Sequence, residues 1–370
     1  MSDAAVRDER FMRRALALAA RGRGCVEPNP MVGCVIVRGG RIIGEGWHRR
    51  FGGPHAEVDA LRRCSDSPRG ATAYVTLEPC RHFGKTPPCT DALIAAGVAR
   101  VVAAGRDPGR ESGGGATVLR RAGVRTEIGL LGDAAAALNA PFYKLARERR
   151  PWVILKWAQS LDGKIATRTG DSKWISDEAA RAHAHRTRGR VDAILIGIET
   201  ARRDDPMLTC RSGRPRRVAT RVVLDTRLRL PPTSRLVRSA RDVPTWIFCG
   251  PRPSVAVRRR LEALGCRVTP VPVARGWLAL GAVLDALGRE SCTNLLVEGG
   301  GRVLGSLLDE GLADEVQVYI SPRLIGGVAA PGALGGHGPA RLGEAARFVA
   351  PPVMRRLGDG WVVTGRLDRR

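Results

Sequence analysis

Residues able to hold a soft metal ion recur in order along the first quarter of the chain: His55-Ala56-Glu57, then Pro79-Cys80, then Pro87-Pro88-Cys89. One imidazole and two thiolates suit zinc, and three protein ligands leave a fourth tetrahedral position for water, as catalytic rather than structural zinc sites do. Glu57, two residues past the histidine and free of the metal, can take a proton from that water and pass it to a leaving amine. His-x-Glu followed by Pro-Cys-x-x-Cys is the arrangement of zinc-dependent nucleobase deamination. The spacing departs from that pattern, because eight residues rather than two separate Cys80 from Cys89. A structural zinc site would need a fourth ligand; His82 is the nearest, and Glu57 would then have no role.

The surrounding pattern explains why the ligands lie where they do. His55 and Cys89 stand at the starts of two helical patterns, 55–64 and 89–96, and a helix N-terminus stabilises a thiolate. A strand at 72–77 leads into Cys80, and strands at 32–46 form a hairpin about Gly39-Gly40, a pair suited to positive φ. A strand at 101–104 and a helix–strand unit near 118–128 complete an α/β alternation with a largely parallel sheet. Phe11, Met12, Ala15, Leu16 and Ala19 recur at helical spacing. With Arg21 and Arg23 breaking the apolar run, the N-terminal segment reads as a first helix rather than a targeting peptide. Gly113-Gly114-Gly115 reads as a mobile loop.

A basic segment ending in Pro151 marks a boundary at 147–150, dividing the chain into residues 1–147 and 148–370. The second part again alternates: strands at 152–156, 191–197, 221–225, 246–249, 294–297 and 315–321, with helices at 177–188 and 302–310. Segments 211–217 and 231–243, rich in Arg and Pro, read as surface loops. Two domains fit a length of 370 residues, and 44% hydrophobic with 26% charged residues is globular. No apolar run is long enough to cross a membrane. The net charge of +25 comes from 61 basic against 36 acidic residues, and only five of the 61 are lysine. The arginines are spread along the chain and aromatics are 4%, which disfavours nucleic acid and suits small anionic ligands such as phosphates or a dinucleotide. Nine cysteines, an odd number without a secretory signal, point to free thiols in a cytoplasmic protein. His183 and His185, two apart on a helix, face different sides and are poor joint ligands.

Pro28-Asn29-Pro30-Met31-Val32-Gly33-Cys34-Val35, His55-Ala56-Glu57 and Thr76-Leu77-Glu78-Pro79-Cys80 through Gly84-Lys85-Thr86-Pro87-Pro88-Cys89 resemble the riboflavin-biosynthesis deaminases of the cytidine deaminase superfamily. In the second half, Leu155-Lys156, Ser160-Leu161-Asp162-Gly163-Lys164-Ile165-Ala166, Ser172-Lys173-Trp174-Ile175, Asp204-Asp205-Pro206 and Val297-Glu298-Gly299-Gly300 resemble the reductase fused to them. The resemblance implies a cytidine-deaminase-like three-layer domain followed by a dihydrofolate-reductase-like α/β domain. It also implies zinc-dependent deamination of 2,5-diamino-6-ribosylamino-4(3H)-pyrimidinone 5′-phosphate, then NADPH-dependent reduction of the ribosyl group to give 5-amino-6-(5-phosphoribitylamino)uracil. A homo-oligomer is implied as well. Arg81 stands where the family commonly has serine, and a solvent-facing side chain is expected there. Gln159 stands where small residues are frequent.

Delivering hydride to the sugar's C1 in its open, imine-like form requires a nicotinamide beside the sugar and polar groups around it. Lys156, Asp204 and Glu298 are the candidates. Glu298-Gly299-Gly300-Gly301 puts a glycine turn between a strand and a helix, where backbone amides can approach a phosphate, though the spacing is no Gly-x-Gly-x-x-Gly fingerprint. By resemblance, Gln159, Trp174, Thr200, Asp204, Thr226, Gly300, Gly301, Arg302, Val303, Leu304, Gly305 and Ser306 contact NADP. Asn29, Lys156, Ser172, Arg188, Leu208, Arg211 and Glu298 contact substrate. Arg188 and Arg211 suit its 5′-phosphate, which a guanidinium grips bidentately. Cys25, Cys34, Cys64, Cys210, Cys249, Cys266 and Cys292 read as core or surface thiols.

Overall fold

The computed structural model describes residues 3–84 and 87–368, and the chain separates into two compact units, Met1–Arg149 and Arg150–Arg370. Lys85 and Thr86 of the Gly-Lys-Thr-Pro-Pro string lie outside the described residues.

In the first unit the order is α1 (Asp3–Ala19), β1 (Gly33–Arg38), β2 (Arg41–Trp47), α2 (Ala56–Arg62), β3 (Thr72–Val75), α3 (Cys89–Ala95), β4 (Arg100–Ala103), α4 (Gly115–Arg121), β5 (Arg125–Ile128), α5 (Gly132–Leu138) and α6 (Ala140–Glu148). The sheet runs β2-β1-β3-β4-β5, antiparallel across its first three strands and parallel from β3 to β5. Gly39 and Gly40 both take positive φ in the hairpin turn. Strand periodicity of two sorts the core. Cys34 and Ile36 pack with Ala56, Ala60 and Leu93 on one face, whereas Val35 and Val37 pack with Phe11, Met12, Ala15 and Leu18 of α1 on the other. The result is a three-layer sandwich.

The second unit holds β6 (Trp152–Ser160), α7 (Glu178–Arg188), β7 (Ala193–Gly197), α8 (Ile198–Asp204), β8 (Thr220–Leu224), α9 (Arg235–Arg238), β9 (Thr245–Cys249), α10 (Val255–Ala263) and β10 (Arg267–Pro270). A short hairpin of β11 (Val273–Ala274) and β12 (Trp277–Leu278) follows, then α11 (Leu280–Arg289), β13 (Asn294–Gly299), α12 (Gly301–Asp309), β14 (Glu315–Ser321), β15 (Val353–Leu357) and β16 (Gly360–Arg366). The main sheet is β10-β9-β8-β7-β13-β6-β14-β16-β15, parallel from β10 to β14 and antiparallel at β16 and β15. The same alternation puts Leu195, Val222 and Phe248 into one core and Ile194, Val223 and Ile247 into another.

Two loop expectations are corrected. Segment 231–243 contains α9, whose Leu236 and Val237 are fully buried, and the carbonyls of Leu236, Ser239 and Val243 accept from the buried Arg221 guanidinium. A buried cation must be hydrogen-bonded, and this segment supplies the acceptors. Gly113-Gly114-Gly115 is no loose loop either: Gly114 takes φ +89° and Gly115 begins α4 so close to Pro79 that a Cβ there would lie 1.8 Å from the Pro79 carbonyl oxygen. The glycines permit close approach rather than motion.

Candidate active sites

The metal-ligand candidates converge in the first unit. His55 is the extended N-cap of α2, Cys89 is the first residue of α3, and Cys80 follows β3. Their donor atoms lie within 4.8 Å of one another, the only such cluster among the described residues. His55 Nδ1 is 3.3 Å from Cys89 Sγ and 3.5 Å from Cys80 Sγ. Tetrahedral zinc with Zn–S about 2.3 Å and Zn–N about 2.0 Å sets N and S about 3.5 Å apart, so the donor set fits this ion in both chemistry and spacing. The Cys80 thiol is pulled well below its usual range by its hydrogen bond with Cys89 and then by His55, as a ligand thiolate requires. His82 lies outside the cluster, so a closed four-ligand site is not formed.

Glu57, 3% exposed in the first turn of α2, stands beside this cluster without joining it, and burial pushes its carboxyl up to about 7. His55, Cys80 and Glu57 open onto a cavity of about 280 Å³ whose wall includes Asn29, His48, Glu78, Asp107 and Ser112. Asn29 donates from Nδ2 to His48 Nε2 at 3.3 Å, while His48 Nδ1 donates to the Pro54 carbonyl at 3.0 Å, which assigns the neutral tautomer. Burial lowers the His48 pKa, in keeping with that form. Arg81 is exposed, as expected, but not idle: Nη2 donates to the Arg110 carbonyl at 3.2 Å. Sequence reasoning named Asn29 and passed over His48, Asp107 and Ser112. Asp107 had a usable signal, since it follows β4, and ligand sites in parallel sheets gather beyond the carboxyl ends of strands.

That rule also organises the second unit. Thr200 follows β7, Thr226 follows β8, Glu298 lies near the end of β13 with Gly300 just past it, and Lys156 and Gln159 lie on β6, so four neighbouring parallel strands present them along one edge. Arg188 on α7 clamps Glu298 bidentately, with Nε and Nη2 each 2.7 Å from a carboxylate oxygen. The Lys156 ammonium stands 3.8 Å from the same carboxylate and 5.5 Å from the Tyr319 ring centre. Burial alone would raise Glu298, but Arg188 and Lys156 outweigh it and hold the carboxyl at about 2. Burial lowers the Lys156 pKa, against the pull of Glu298. With Nη1 donating to the Thr209 carbonyl, Arg188 has three of its five N–H groups engaged.

Asp204 does not join this group; it is exposed at the end of α8. Ser172, Trp174 and Arg211 are exposed, with the Arg181 guanidinium 4.8 Å above the Trp174 ring. Leu208 is buried, as is Leu304, which faces the core from α12. Gly300 takes φ +80° before α12, and an added Cβ would lie 3.6 Å from Thr200 Oγ1. Arg302 stacks 4.3 Å over Trp277, Gln159 accepts from Trp157, and Thr226 accepts from the Gly250 N–H. Gly301 donates no side chain but packs near the Ala333 carbonyl, and Val303 and Ser306 are half-buried. His183 and His185 diverge as expected, His183 Nδ1 to the Tyr319 hydroxyl and His185 Nδ1 toward the Thr209 carbonyl.

Family models agree with this two-part chemistry. Residues 5–105 match the cytidine and deoxycytidylate deaminase zinc-binding region, and residues 151–350 match the RibD C-terminal domain. The chain is 40% identical over 339 residues to the riboflavin biosynthesis protein RibD of Actinobacillus pleuropneumoniae, covering 91% of this chain and 90% of that protein. It is 43% identical over 334 residues to RibD of Escherichia coli, covering 87% and 89%. Among solved structures, RibD of Acinetobacter baumannii superposes with a TM-score of 0.85 at 36% identity, over 98% of this chain and 99% of that one. A Thermotoga maritima diaminohydroxyphosphoribosylaminopyrimidine deaminase/5-amino-6-(5-phosphoribosylamino)uracil reductase gives 0.84 at 34% identity, over 99% and 100%. With such matches running through both units, the chain belongs to the RibD family, the bifunctional deaminase/reductases of riboflavin biosynthesis.

Proposed function

We propose that residues 1–147 deaminate 2,5-diamino-6-ribosylamino-4(3H)-pyrimidinone 5′-phosphate and that residues 148–370 reduce the deaminated product to 5-amino-6-(5-phosphoribitylamino)uracil. The observation that carries the first half is the close set of His55, Cys80 and Cys89 beside a buried, non-ligating Glu57. His55, Cys80 and Cys89 hold zinc, which when bound supplies the Lewis acidity that makes water a nucleophile near neutral pH. Glu57 accepts the proton of that water and gives it to the amine, so that water is consumed and ammonia leaves as the C2 amino group becomes a carbonyl. Asn29 and the walls of the cavity orient the pyrimidine.

In the second unit NADPH, when bound, would supply the hydride for C1 of the opened sugar. Lys156 and Glu298 bound the ribose, with Arg188 holding Glu298 in place and directing its two remaining N–H groups, with Arg211, to the 5′-phosphate. Ser172 and Leu208 complete the substrate side, and Gln159, Trp174, Thr200, Asp204, Thr226 and Gly300 through Ser306 the cofactor side. The parallel-strand edge that gathers Lys156, Gln159, Thr200, Thr226, Glu298 and Gly300 supports this reading. The enzyme works in the cytoplasm on small phosphorylated ligands and not on nucleic acid. Self-association is supported by Val353 and Met354, exposed on the edge strand β15, and light scattering tests it.

The deciding experiment incubates zinc-loaded protein with the diaminopyrimidine ribosyl phosphate, with and without NADPH, and follows products by mass spectrometry. Deaminated product alone, converted to the ribityl form only when NADPH is added, is expected. Reduction without deamination would remove the assignment of the first unit.

A further inference from the structure

Glu78 stands two residues before the ligand Cys80 and is 4% exposed, yet it neither joins the metal cluster nor moves a proton in the reaction above. Its two carboxylate oxygens face backbone instead. Oε1 accepts from the Ala116 N–H at 2.9 Å and Oε2 from the Asp107 N–H at 3.3 Å. Those two residues bracket the loop that carries Asp107 and Ser112 into the cavity wall. The same short stretch of chain grips the loop elsewhere: Glu78 N–H donates to the Gly105 carbonyl, Arg81 N–H to the Ser112 carbonyl, and the Arg81 guanidinium to the Arg110 carbonyl. Gly115 seats against the Pro79 carbonyl with no room for a side chain.

We propose that Glu78 is a positioning residue of the deamination site, which with Arg81 straps the loop 107–115 onto the Cys80 segment and so sets the wall that recognises the substrate. The inference rests on the reading that this cavity holds the pyrimidine. A carboxylate suits the post because it only accepts, and two N–H groups point at it. Glutamine keeps one acceptor and turns an NH₂ toward the other donor. Asp107 and Ser112 line the cavity wall without belonging to the metal cluster, so displacement of the loop is expected to weaken ground and transition states alike and to raise KM with little change in kcat. Arg81 thereby acts through the loop rather than on substrate.

The test is steady-state deamination by the zinc-loaded full chain carrying Glu78→Gln, with zinc content and NADPH-dependent reduction measured on the same sample as controls for folding. Expected is a rise in KM of about tenfold, kcat within about threefold, and full zinc occupancy and reduction. Gly115→Ala, whose methyl group would meet the Pro79 carbonyl, lifts the loop from the opposite side and is expected to show the same split. Arg81→Ala, which keeps its backbone bond to Ser112, is expected to show about a twofold rise at most. An unchanged KM in Glu78→Gln overturns the proposal, as does a fall in kcat alone or loss of zinc. Glu57→Ala run in parallel separates the two levels: if it still deaminates, the cavity itself has been misassigned, whereas its inactivity beside an unaffected Glu78→Gln removes the strap alone.

Discussion

Glu57 and Glu298 are both buried carboxylates, and their surroundings push them in opposite directions. Burial, only partly offset by His55, lifts Glu57 to about 7, whereas Arg188 and Lys156 overcome burial and hold Glu298 at about 2. One suits proton transfer and the other a permanent charge. Replacing Glu57 by alanine is expected to lower deamination by at least about a hundredfold with zinc still bound, measured by ammonia release and metal analysis. Cys80→Ala, in contrast, is expected to lose the metal as well as the activity. For Glu298 the folded pKa lies below the unfolded one, so its stabilising contribution is complete above about pH 4.5 and is lost as pH falls toward 2. Urea titrations across that window are expected to show a steeper loss of stability in the native chain than in Glu298→Gln. A parallel slope in the two proteins would remove the assigned ion pair. The chemistry of His55, Glu57, Cys80 and Cys89 was legible because residue type and order alone specify a ligand set. The Arg188–Glu298–Lys156 group was half legible: each residue was named by resemblance, but nothing in sequences 110 residues apart says that the arginine fork closes on the glutamate.

At the scale of elements, strands buried on both faces, such as β7 and β9, were legible because a continuous apolar run needs no partner to be recognised. Among those missed were α10, whose apolar face is interrupted by Arg258, Arg259 and Arg260, and the hairpin of exposed β15 with half-buried β16, whose pairing is a tertiary choice. Helix α1 was legible from its spacing, but not its anchor. Arg100 on β4 holds Asp8 of α1 and Glu127 of β5 together, and the Tyr74 hydroxyl donates to Asp8 from β3. Arg100→Ala is expected to lower the stability of the first unit by about 1 kcal/mol, a few degrees in its calorimetric transition, while leaving zinc content unchanged. In the second unit α12 crosses the 335–336 backbone so closely that a Cβ on Gly305 would lie 1.7 Å from the Gly335 carbonyl oxygen. Gly305→Ala is expected to displace that helix, cost about 1–3 kcal/mol and raise the KM for NADPH, with deamination as the unaffected control.

Across the whole molecule arginine dominates a net charge of +25, and a positive field of this kind favours capture of small anionic ligands. The two units have separate hydrophobic cores: the clusters about Cys34 and Val35 contain no residue beyond 149, and those about Leu195 and Ile194 none before it. Metal binding therefore stabilises one core directly. A ligand that binds only the folded state adds RT ln(1 + [L]/Kd) to stability, about 4 kcal/mol when free zinc is a thousandfold above its Kd. Removing zinc with a chelator is expected to abolish deamination and lower the first unit's unfolding transition, while NADPH-dependent reduction of the deaminated substrate and the second transition stay in place. Readdition of zinc restores both. The pattern discriminates between readings because a structural ion shared by the whole chain would bring down both transitions together, and an ion unconnected with His55, Cys80 and Cys89 would leave deamination standing.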